Sequence, residues 1–326
     1  MATPPPTTES ENCYHSPICS VVLARCSSLV GGGLVAAGLA ALGAGPAVAA
    51  QPVVAANGIL CDLVRTVAGP SVAVACLVPD GADPHDYRLS ARDRASIQSA
   101  SVVFLNGYRL SPALERLGRL KRTVKVAEVA VPSSPGRDPH VWHNPLQAAA
   151  MAKVVSRQLK SGVAPSVGGS IDARVARVDD VLTQLDRWAV AQFATVPKAH
   201  RVVLTEHDAL SSLAKRYGAR YVPLMRSFAS GGPLRPSSLR EISQAAQESG
   251  TKVLFSESKA TSKTLRRISK TSGLPVYGQP LVVDGVAKGK SYVSTFVSNI
   301  CTLVNAQGGR CDRSSGDRLA SRWKAI

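Results

Sequence analysis

Three histidines of the chain stand in loops where a predicted strand ends and a helix begins. His85 and His140 each follow an Asp-Pro pair, and His207 follows the apolar run at residues 201–205. Such junction loops are where α/β proteins place their binding groups. A single histidine there is most often a surface or core residue, but three in equivalent loops indicate one shared site. Neutral imidazole is a ligand that suits first-row divalent metal ions, so the pattern favours metal binding.

The segments around these histidines resemble motifs of a known family, the metal-specific solute-binding proteins of ABC transporters called cluster A-I, which bind zinc or manganese. The resemblance runs from residue 52 to about residue 305. A single Asp-Pro-His would be weak support, whereas six segments in the same order are specific. The six segments are LVPDGADPHDY (77–87), DPHVWHNP (138–145), TEHDA (205–209), PSSLRE (236–241), VLFSE (253–257) and PLVVDG (280–285).

The resemblance implies four metal ligands, which fall on His85, His140, His207 and Asp284. Some relatives have a glutamate at the third position, so Glu206 is an alternative to His207 after a small shift of the loop. Three imidazoles and one carboxylate suit zinc or manganese, whereas calcium and magnesium take mostly oxygen ligands. Four protein ligands fill a tetrahedral zinc shell and leave no open position for a catalytic water. We therefore predict a site that binds its metal as a transported ligand, and not the catalytic site of an enzyme.

Neighbouring carboxylates are expected to orient the imidazole ligands. The candidates are Asp83, Asp138, Asp208 and Glu257, each of which could instead cap a helix or lie at the surface. His143, three residues after His140, is expected to pack in the core or lie at the surface.

The choice between Zn²⁺ and Mn²⁺ is left open, with zinc favoured. Zinc-specific relatives often carry a long histidine-rich loop between the first two motifs, and this chain has only the short segment 130–137 there. Manganese binders commonly use two carboxylates, and the predicted set has one. Two other classes are alternatives: an exported zinc hydrolase, for which no HExxH pair is present, and a surface adhesion protein on the same scaffold.

The elements that must position these residues alternate between apolar strands and amphipathic helices, which is typical of an α/β protein. The longest helical pattern, residues 171–193, would span about 34 Å. We predict a lobe at residues 51–165, a connecting helix at 166–198 and a second lobe at 199–326. The resemblance implies two (β/α)4-like lobes joined by one long rigid helix, with the metal in the cleft between them. Strands of the second lobe are predicted at residues 201–205, 221–223, 252–256 and 275–277.

The beginning of the chain predicts export. Residues 29–50 carry no charge and end in Ala-Val-Ala, the pattern that signal peptidase cuts after. We therefore predict a cleavable signal peptide at residues 1–50 and a periplasmic protein. A membrane-spanning anchor is one alternative, since about 20 apolar residues cross a bilayer. A lipid anchor is another, but Cys26 precedes the apolar run instead of following it.

Four cysteines follow the predicted signal peptide: Cys61, Cys76, Cys301 and Cys311. An even number in an exported chain favours disulfides. Of the three possible connectivities, Cys61–Cys76 and Cys301–Cys311 join the nearest neighbours along the chain and are the simplest. Unpaired buried thiols are the alternative, and a four-cysteine zinc site is not expected because no CxxC spacing occurs.

The chain is strongly basic, with a formal charge of +17. Its lysines and arginines are scattered over predicted helices without an aromatic-rich motif beside them, which argues against nucleic acid as a partner. We interpret the excess charge as favouring solubility and attraction to an anionic membrane face. The expected partners are the metal ion and an ABC transporter permease in the membrane, and the protein is expected to be a monomer.

Overall fold

The computed structural model of the protein describes residues 52–116, 122–161, 165–225, 236–258 and 260–326. The predicted signal peptide at residues 1–50, with its two alternatives, lies outside the described residues. The strands and helices that follow form an α/β fold with parallel strands and one long helix, as predicted. None of the described helices is both long and apolar enough to span a bilayer.

Four short strands of the first half form one parallel sheet. They are β1 (Val53–Ala55), β2 (Val74–Cys76), β3 (Val102–Leu105) and β4 (Thr123–Lys125). The strand order is β2-β1-β3-β4, so the two central strands are β1 and β3. Both are buried along their whole length, as in parallel sheets that helices cover on both faces. Their carboxyl ends meet at one edge, where the loops begin.

Five helices accompany this sheet. They are α1 (Gly58–Ala68), α2 (Ala91–Ser99), α3 (Pro112–Glu115), α4 (Val126–Ala130) and α5 (Pro145–Lys160). The side chain of Asn57 accepts a hydrogen bond from the backbone N–H of Leu60 and so caps α1. Asn144, within the second histidine motif, caps α5 in the same way. These caps fix the helix starts next to the loops that carry the site.

The longest described helix is α6 (Pro165–Ala194), which has 30 residues and spans about 45 Å. It begins six residues before the predicted start. The reason is the pair Gly168 and Gly169, because glycine has a low helix propensity and obscures the pattern there. The buried residues Val178, Leu182 and Leu185 belong to the same core as the sheet. The boundaries of the two predicted lobes stay a prediction.

The second half has a two-stranded parallel sheet, β5 (Val202–Thr205) and β6 (Arg220–Pro223). The strands predicted at residues 252–256 and 275–277 were wrong, because the described backbone forms only one parallel bridge there, between Leu254 and Val276. The ladder stops because the Ser256 carbonyl accepts a hydrogen bond from the backbone of Leu281 instead. The helices are α7 (Ser211–Tyr217), α8 (Pro236–Glu248), α9 (Lys263–Ser272), α10 (Tyr292–Ala306) and α11 (Arg313–Lys324).

Both predicted disulfides are present. Cys61–Cys76 joins α1 to β2, and Cys301–Cys311 joins α10 to the segment before α11. The last helix packs against α6 and α10. Its buried Trp323 donates a hydrogen bond from Nε1 to the carboxylate of Asp62 on α1, at 2.8 Å. The last helix is therefore connected to α1, the first of the described helices.

Candidate metal centre

The two Asp-Pro-His segments form the same local turn. The backbone N–H of His85 donates to Asp83 Oδ1 at 2.8 Å, and the backbone N–H of His140 donates to Asp138 Oδ1 at 2.9 Å. An aspartate that accepts from the backbone two residues later forms an Asx turn, which is a local preference of this residue type. The repeated sequence therefore produces a repeated turn, with a histidine at its end.

His207 lies two residues after the end of β5 and is fully buried. Its carbonyl oxygen accepts hydrogen bonds from the hydroxyls of Thr205 and Tyr221, each at 2.9 Å. These bonds hold the backbone at the carboxyl end of the strand, where the chain turns towards α7.

Asp284 lies in the loop that precedes α10, and two side chains fix this loop. Asn299 on α10 accepts from the backbone N–H of Val282 and donates to its carbonyl oxygen. His143 donates from Nε2 to the carbonyl oxygen of Val283, at 2.8 Å. The carboxylate is therefore held from both halves of the chain.

The structure brings the four predicted ligands together. Asp284 Oδ1 lies 3.3 Å from His85 Nε2, 3.2 Å from His140 Nε2 and 3.4 Å from His207 Nε2. The Nε2 atoms of His85 and His140 are 3.3 Å apart. One ligand atom from each of the four residues lies within 4.8 Å of all the others. Among the described residues this is the one cluster of histidine, cysteine and carboxylate side chains with metal-binding spacing.

Two of the predicted orienting carboxylates hold an imidazole ring. Asp138 Oδ1 lies 2.9 Å from His140 Nδ1, and Glu257 Oε2 lies 2.6 Å from His207 Nδ1. Each bond is to the ring nitrogen farther from Asp284, so the Nε2 atoms point into the cluster. A further residue, which the sequence did not indicate, supports this arrangement: Ser211 Oγ donates to Asp138 Oδ2 at 2.6 Å.

The other two candidates have different roles. Asp83 accepts from the backbone N–H of His85, as described above. Burial raises the pKa of Asp208. Its Oδ1 atom has no hydrogen-bond partner in the described part of the chain. Asp208 is therefore not one of the residues that hold a ring.

Glu206 does not replace His207 in the cluster. Its carboxylate accepts a hydrogen bond from Ser262 Oγ, at the start of α9, and lies 3.5 Å from the backbone N of Glu257. It lines a cavity of about 360 Å³ together with Asp83, Glu257 and Asp284. Asp284 therefore belongs both to the wall of this cavity and to the cluster, and four carboxylates line the cavity.

The carboxylate of Asp284 and the imidazole rings of His140 and His207 shift one another's pKa values. Burial opposes charge on Asp284, but hydrogen bonds from three imidazoles hold its pKa well below the usual range. Burial likewise opposes a charge on His207, yet the hydrogen bonds to Asp284 and Glu257 raise its pKa to about 10. The pKa of His140 is also raised, because Asp138 and Asp284 outweigh its burial. A metal ion has to displace these protons to bind.

His143 is buried and packs in the core, one of the two expectations for it. Burial, together with the neighbouring His140, lowers its pKa to about 4. The ring is therefore neutral, with its proton on the Nε2 atom that donates to Val283. Its bond to the loop of Asp284 could not be found from the sequence, because the two segments are 140 residues apart.

Comparison with known proteins gives consistent matches over most of the chain. Residues 53–306 match the sequence model of a family described as zinc-uptake complex component A, periplasmic (ZnuA). The manganese-binding lipoprotein MntA of Bacillus subtilis is 26% identical over 275 residues, which cover 78% of this chain and 89% of that protein.

Solved structures show the same fold. The Fe(III)-bound YtgA of Chlamydia trachomatis is similar with a TM-score of 0.74 and 22% identity, covering 80% of this chain and 99% of that chain. The periplasmic zinc-binding protein TroA of Treponema pallidum is similar with a TM-score of 0.73 and 23% identity, covering 79% and 99%.

Proposed function

The chain belongs to the ZnuA family, whose members are metal-binding substrate-binding proteins of ABC transporters and not enzymes, and from this premise we propose that it captures one Zn²⁺ or Mn²⁺ and delivers it to a membrane permease. The proposed ligands are His85, His140, His207 and Asp284. Two of them precede α6 and two follow it, so a bound ion would connect the two halves of the chain and stabilise their closed arrangement.

The distances between ligand atoms support this proposal. Zinc binds imidazole nitrogen and carboxylate oxygen at about 2.0–2.1 Å, and the edges of a tetrahedron with such bonds are about 3.3–3.4 Å long. Four of the six separations between ligand atoms lie between 3.2 and 3.4 Å, and all ligand atoms lie within 4.8 Å of one another. These four separations match the edges of such a tetrahedron, which supports a tetrahedral ion at this site.

The donor set favours zinc over manganese. Three imidazole nitrogens and one carboxylate suit zinc, whereas manganese sites prefer more oxygen ligands. The names of the relatives do not decide the ion, because MntA is named for manganese, YtgA for Fe(III) and TroA for zinc.

We further propose that the protein acts in the periplasm as a monomer, after removal of a signal peptide at residues 1–50. MntA is named a lipoprotein. In this chain Cys26 precedes the apolar run 29–50, so the sequence favours cleavage over a lipid anchor.

The function is tested by thermal melting of the purified protein after chelation, with added ZnCl₂ or MnCl₂, together with elemental analysis. An ion present at a thousand times its dissociation constant stabilises a protein by about 4 kcal/mol, which is a clear rise in Tm. We expect a stoichiometry of one ion per chain and a larger rise with zinc.

The His140→Ala variant should lose this rise in Tm, because it removes a buried ligand. His200→Ala is the matched control, since His200 lies outside the cluster. If neither metal raises the Tm of the wild-type protein, the proposed function is wrong. If His140→Ala keeps the full rise, the ligand set is wrong.

A further inference from the structure

Arginines occupy left-handed backbone positions next to the second histidine motif. The non-glycine residues with positive φ in the described ranges are Tyr108, Arg109, Arg122 and Arg137, with φ values of 55°, 60°, 71° and 60°. This conformation is uncommon outside glycine, and the residues that tolerate it best are asparagine and aspartate. Three arginines among four such positions therefore require an explanation.

Two short turns contain three of these residues. Residues 107–109 follow β3, and residues 136–137 precede the second Asp-Pro-His segment; we call them the arginine turns. The guanidinium carbon of Arg137 lies 5.5 Å from the centre of the Tyr108 ring, so the turns are in contact. Asn106, before the first turn, donates to the carbonyl oxygen of Pro139 at 3.0 Å. The turns are therefore attached to the segment that carries His140.

Neighbouring residues hold the first turn in its strained conformation. The backbone N–H of Tyr108 donates to Glu128 Oε1 at 2.7 Å, and its hydroxyl donates to the carbonyl oxygen of Val131 at 2.5 Å. The Tyr108 ring is buried. A strained backbone persists when its surroundings fix it in this way, and such positions concentrate at ligand clamps and switches.

The guanidinium groups themselves are not needed for these internal bonds. Arg109 is exposed and has no hydrogen bond or ion pair with the described residues. Arg137 keeps 70% of its side chain exposed, and the Glu128 carboxylate lies 3.8 Å from it. The turns therefore present two cations to solvent on a rigid support. Arg137 also contacts the Tyr108 ring and Glu128, whereas no polar contact with a described residue explains the strained backbone of Arg109.

The chemistry of the arginine turns fits an acidic protein surface. A positive surface on a chain of charge +17 repels a divalent cation, so these arginines do not serve capture of the cargo. Arginine binds carboxylates through two parallel hydrogen bonds in a fixed geometry. A support that is already rigid lowers the entropy lost on binding such a partner. A fluid lipid surface requires no fixed geometry, which favours a protein partner over anionic headgroups.

We propose that the arginine turns, through Arg109 and Arg137, form a docking point for carboxylates on the outer surface of the membrane permease, an inference that rests on the proposed delivery function. The arginine turns are attached to the segment that carries His140. A permease bound at the turns would therefore lie next to a segment that holds one of the proposed metal ligands.

The test measures uptake of ⁶⁵Zn and ⁵⁴Mn by cells of the source organism. In each strain the wild-type gene is deleted and a single variant is expressed. Arg109→Glu reverses the charge, and Arg109→Gly removes the cation while relieving the strain, since glycine adopts φ near 60° at no steric cost. Arg157→Glu is the matched control. Arg157 is an exposed arginine in regular helix on α5, twelve residues or about 18 Å from the start of that helix.

We expect both Arg109 variants to reduce uptake about tenfold or more. Their dissociation constants for the metal, measured by calorimetry on the purified proteins, should be unchanged, and Arg109→Gly should melt no lower than wild type. Arg157→Glu should support normal uptake. The Arg109→Gly variant distinguishes a loss of docking from a loss of folding. It removes the cation, but glycine accepts the positive φ at this position, so reduced uptake would not result from misfolding.

Normal uptake by both Arg109 variants would overturn the docking proposal and leave the metal-binding function intact. Loss of metal binding by the wild-type protein would instead refute the proposed function. Sedimentation with phosphatidylcholine vesicles that contain phosphatidylglycerol distinguishes the partner. If Arg109→Glu weakens vesicle binding as strongly as it weakens uptake, while Arg157→Glu does not, the partner is a lipid surface and the proposal of a protein partner fails.

Discussion

His143 donates a hydrogen bond from Nε2 to the carbonyl oxygen of Val283 at 2.8 Å, and the two residues are 140 positions apart in the chain. Each lies beside the segment of a proposed ligand: His143 is three residues after His140, and Val283 immediately precedes Asp284. The bond therefore sets the position of the carboxylate relative to the rings that precede α6.

We expect His143→Ala to weaken zinc binding by about tenfold to a hundredfold, although no ligand is removed, because supporting partners of a metal site have effects of this size. Calorimetric titration of the metal-free variant with zinc measures this change in the dissociation constant. His143→Gln, whose amide can donate to the same carbonyl, should recover part of the loss. Equal affinity of His143→Ala and wild type would contradict this role.

The two ring-holding carboxylates should differ from Asp208 in their effect on affinity. Glu257→Gln replaces the carboxylate 2.6 Å from His207 Nδ1 and makes the ring a weaker ligand. We expect zinc affinity to fall about tenfold. Asp208→Asn is the control, because Asp208 does not hold a ring, and it should leave affinity within about twofold. A larger effect of Asp208→Asn than of Glu257→Gln would contradict the assignment.

Metal affinity should rise with pH. Without a metal the pKa of His207 is about 10, so this ring carries a proton at pH 7, and Asp138 and Asp284 raise the pKa of His140 above its usual value. A metal binds the neutral ring and releases the proton, so affinity increases by about tenfold per pH unit for each proton released, as long as the pH is below these pKa values. Titrations at pH 6, 7 and 8 in two buffers of different ionisation enthalpy count the protons. An affinity independent of pH would contradict the protonation states.

A second pH effect concerns folding stability and lies outside the cluster. Burial raises the pKa of Asp62 from 3.8 to about 6, although Tyr292 and Trp323 donate hydrogen bonds to it. A raised carboxyl pKa contributes stability that is fully present below pH 3.8 and is lost as the pH rises through 6. The Asp62→Asn variant cannot ionise and should therefore gain about 2 kcal/mol relative to wild type between pH 4 and pH 7.

Urea unfolding of both proteins at several pH values checks this effect. Asp179→Asn, which changes a partly exposed carboxylate on α6 that pairs with Lys153, should show no such gain. A constant difference between Asp62→Asn and wild type across the range would mean that Asp62 ionises at its ordinary pKa.

Much of the centre could be predicted from residue types. The three histidines stood out because each follows a short local pattern, and the Asx turns at His85 and His140 use bonds that reach only two residues along the chain. The fourth ligand, Asp284, came from the family resemblance and not from spacing, because no local pattern marks it. The disulfide pairs were found because their partners are only 15 and 10 residues apart.

The sequence by itself determined the ligand types, the local turns that carry two of them and the alternation that makes an α/β fold, because these depend on interactions between residues close along the chain. The tertiary structure alone decided that Glu257 holds His207, that His143 holds the loop of Asp284 and that the arginine turns meet at Tyr108. These contacts join segments tens to hundreds of residues apart or depend on backbone strain. Their geometry follows from how whole helices and strands pack, which no short stretch of residues specifies.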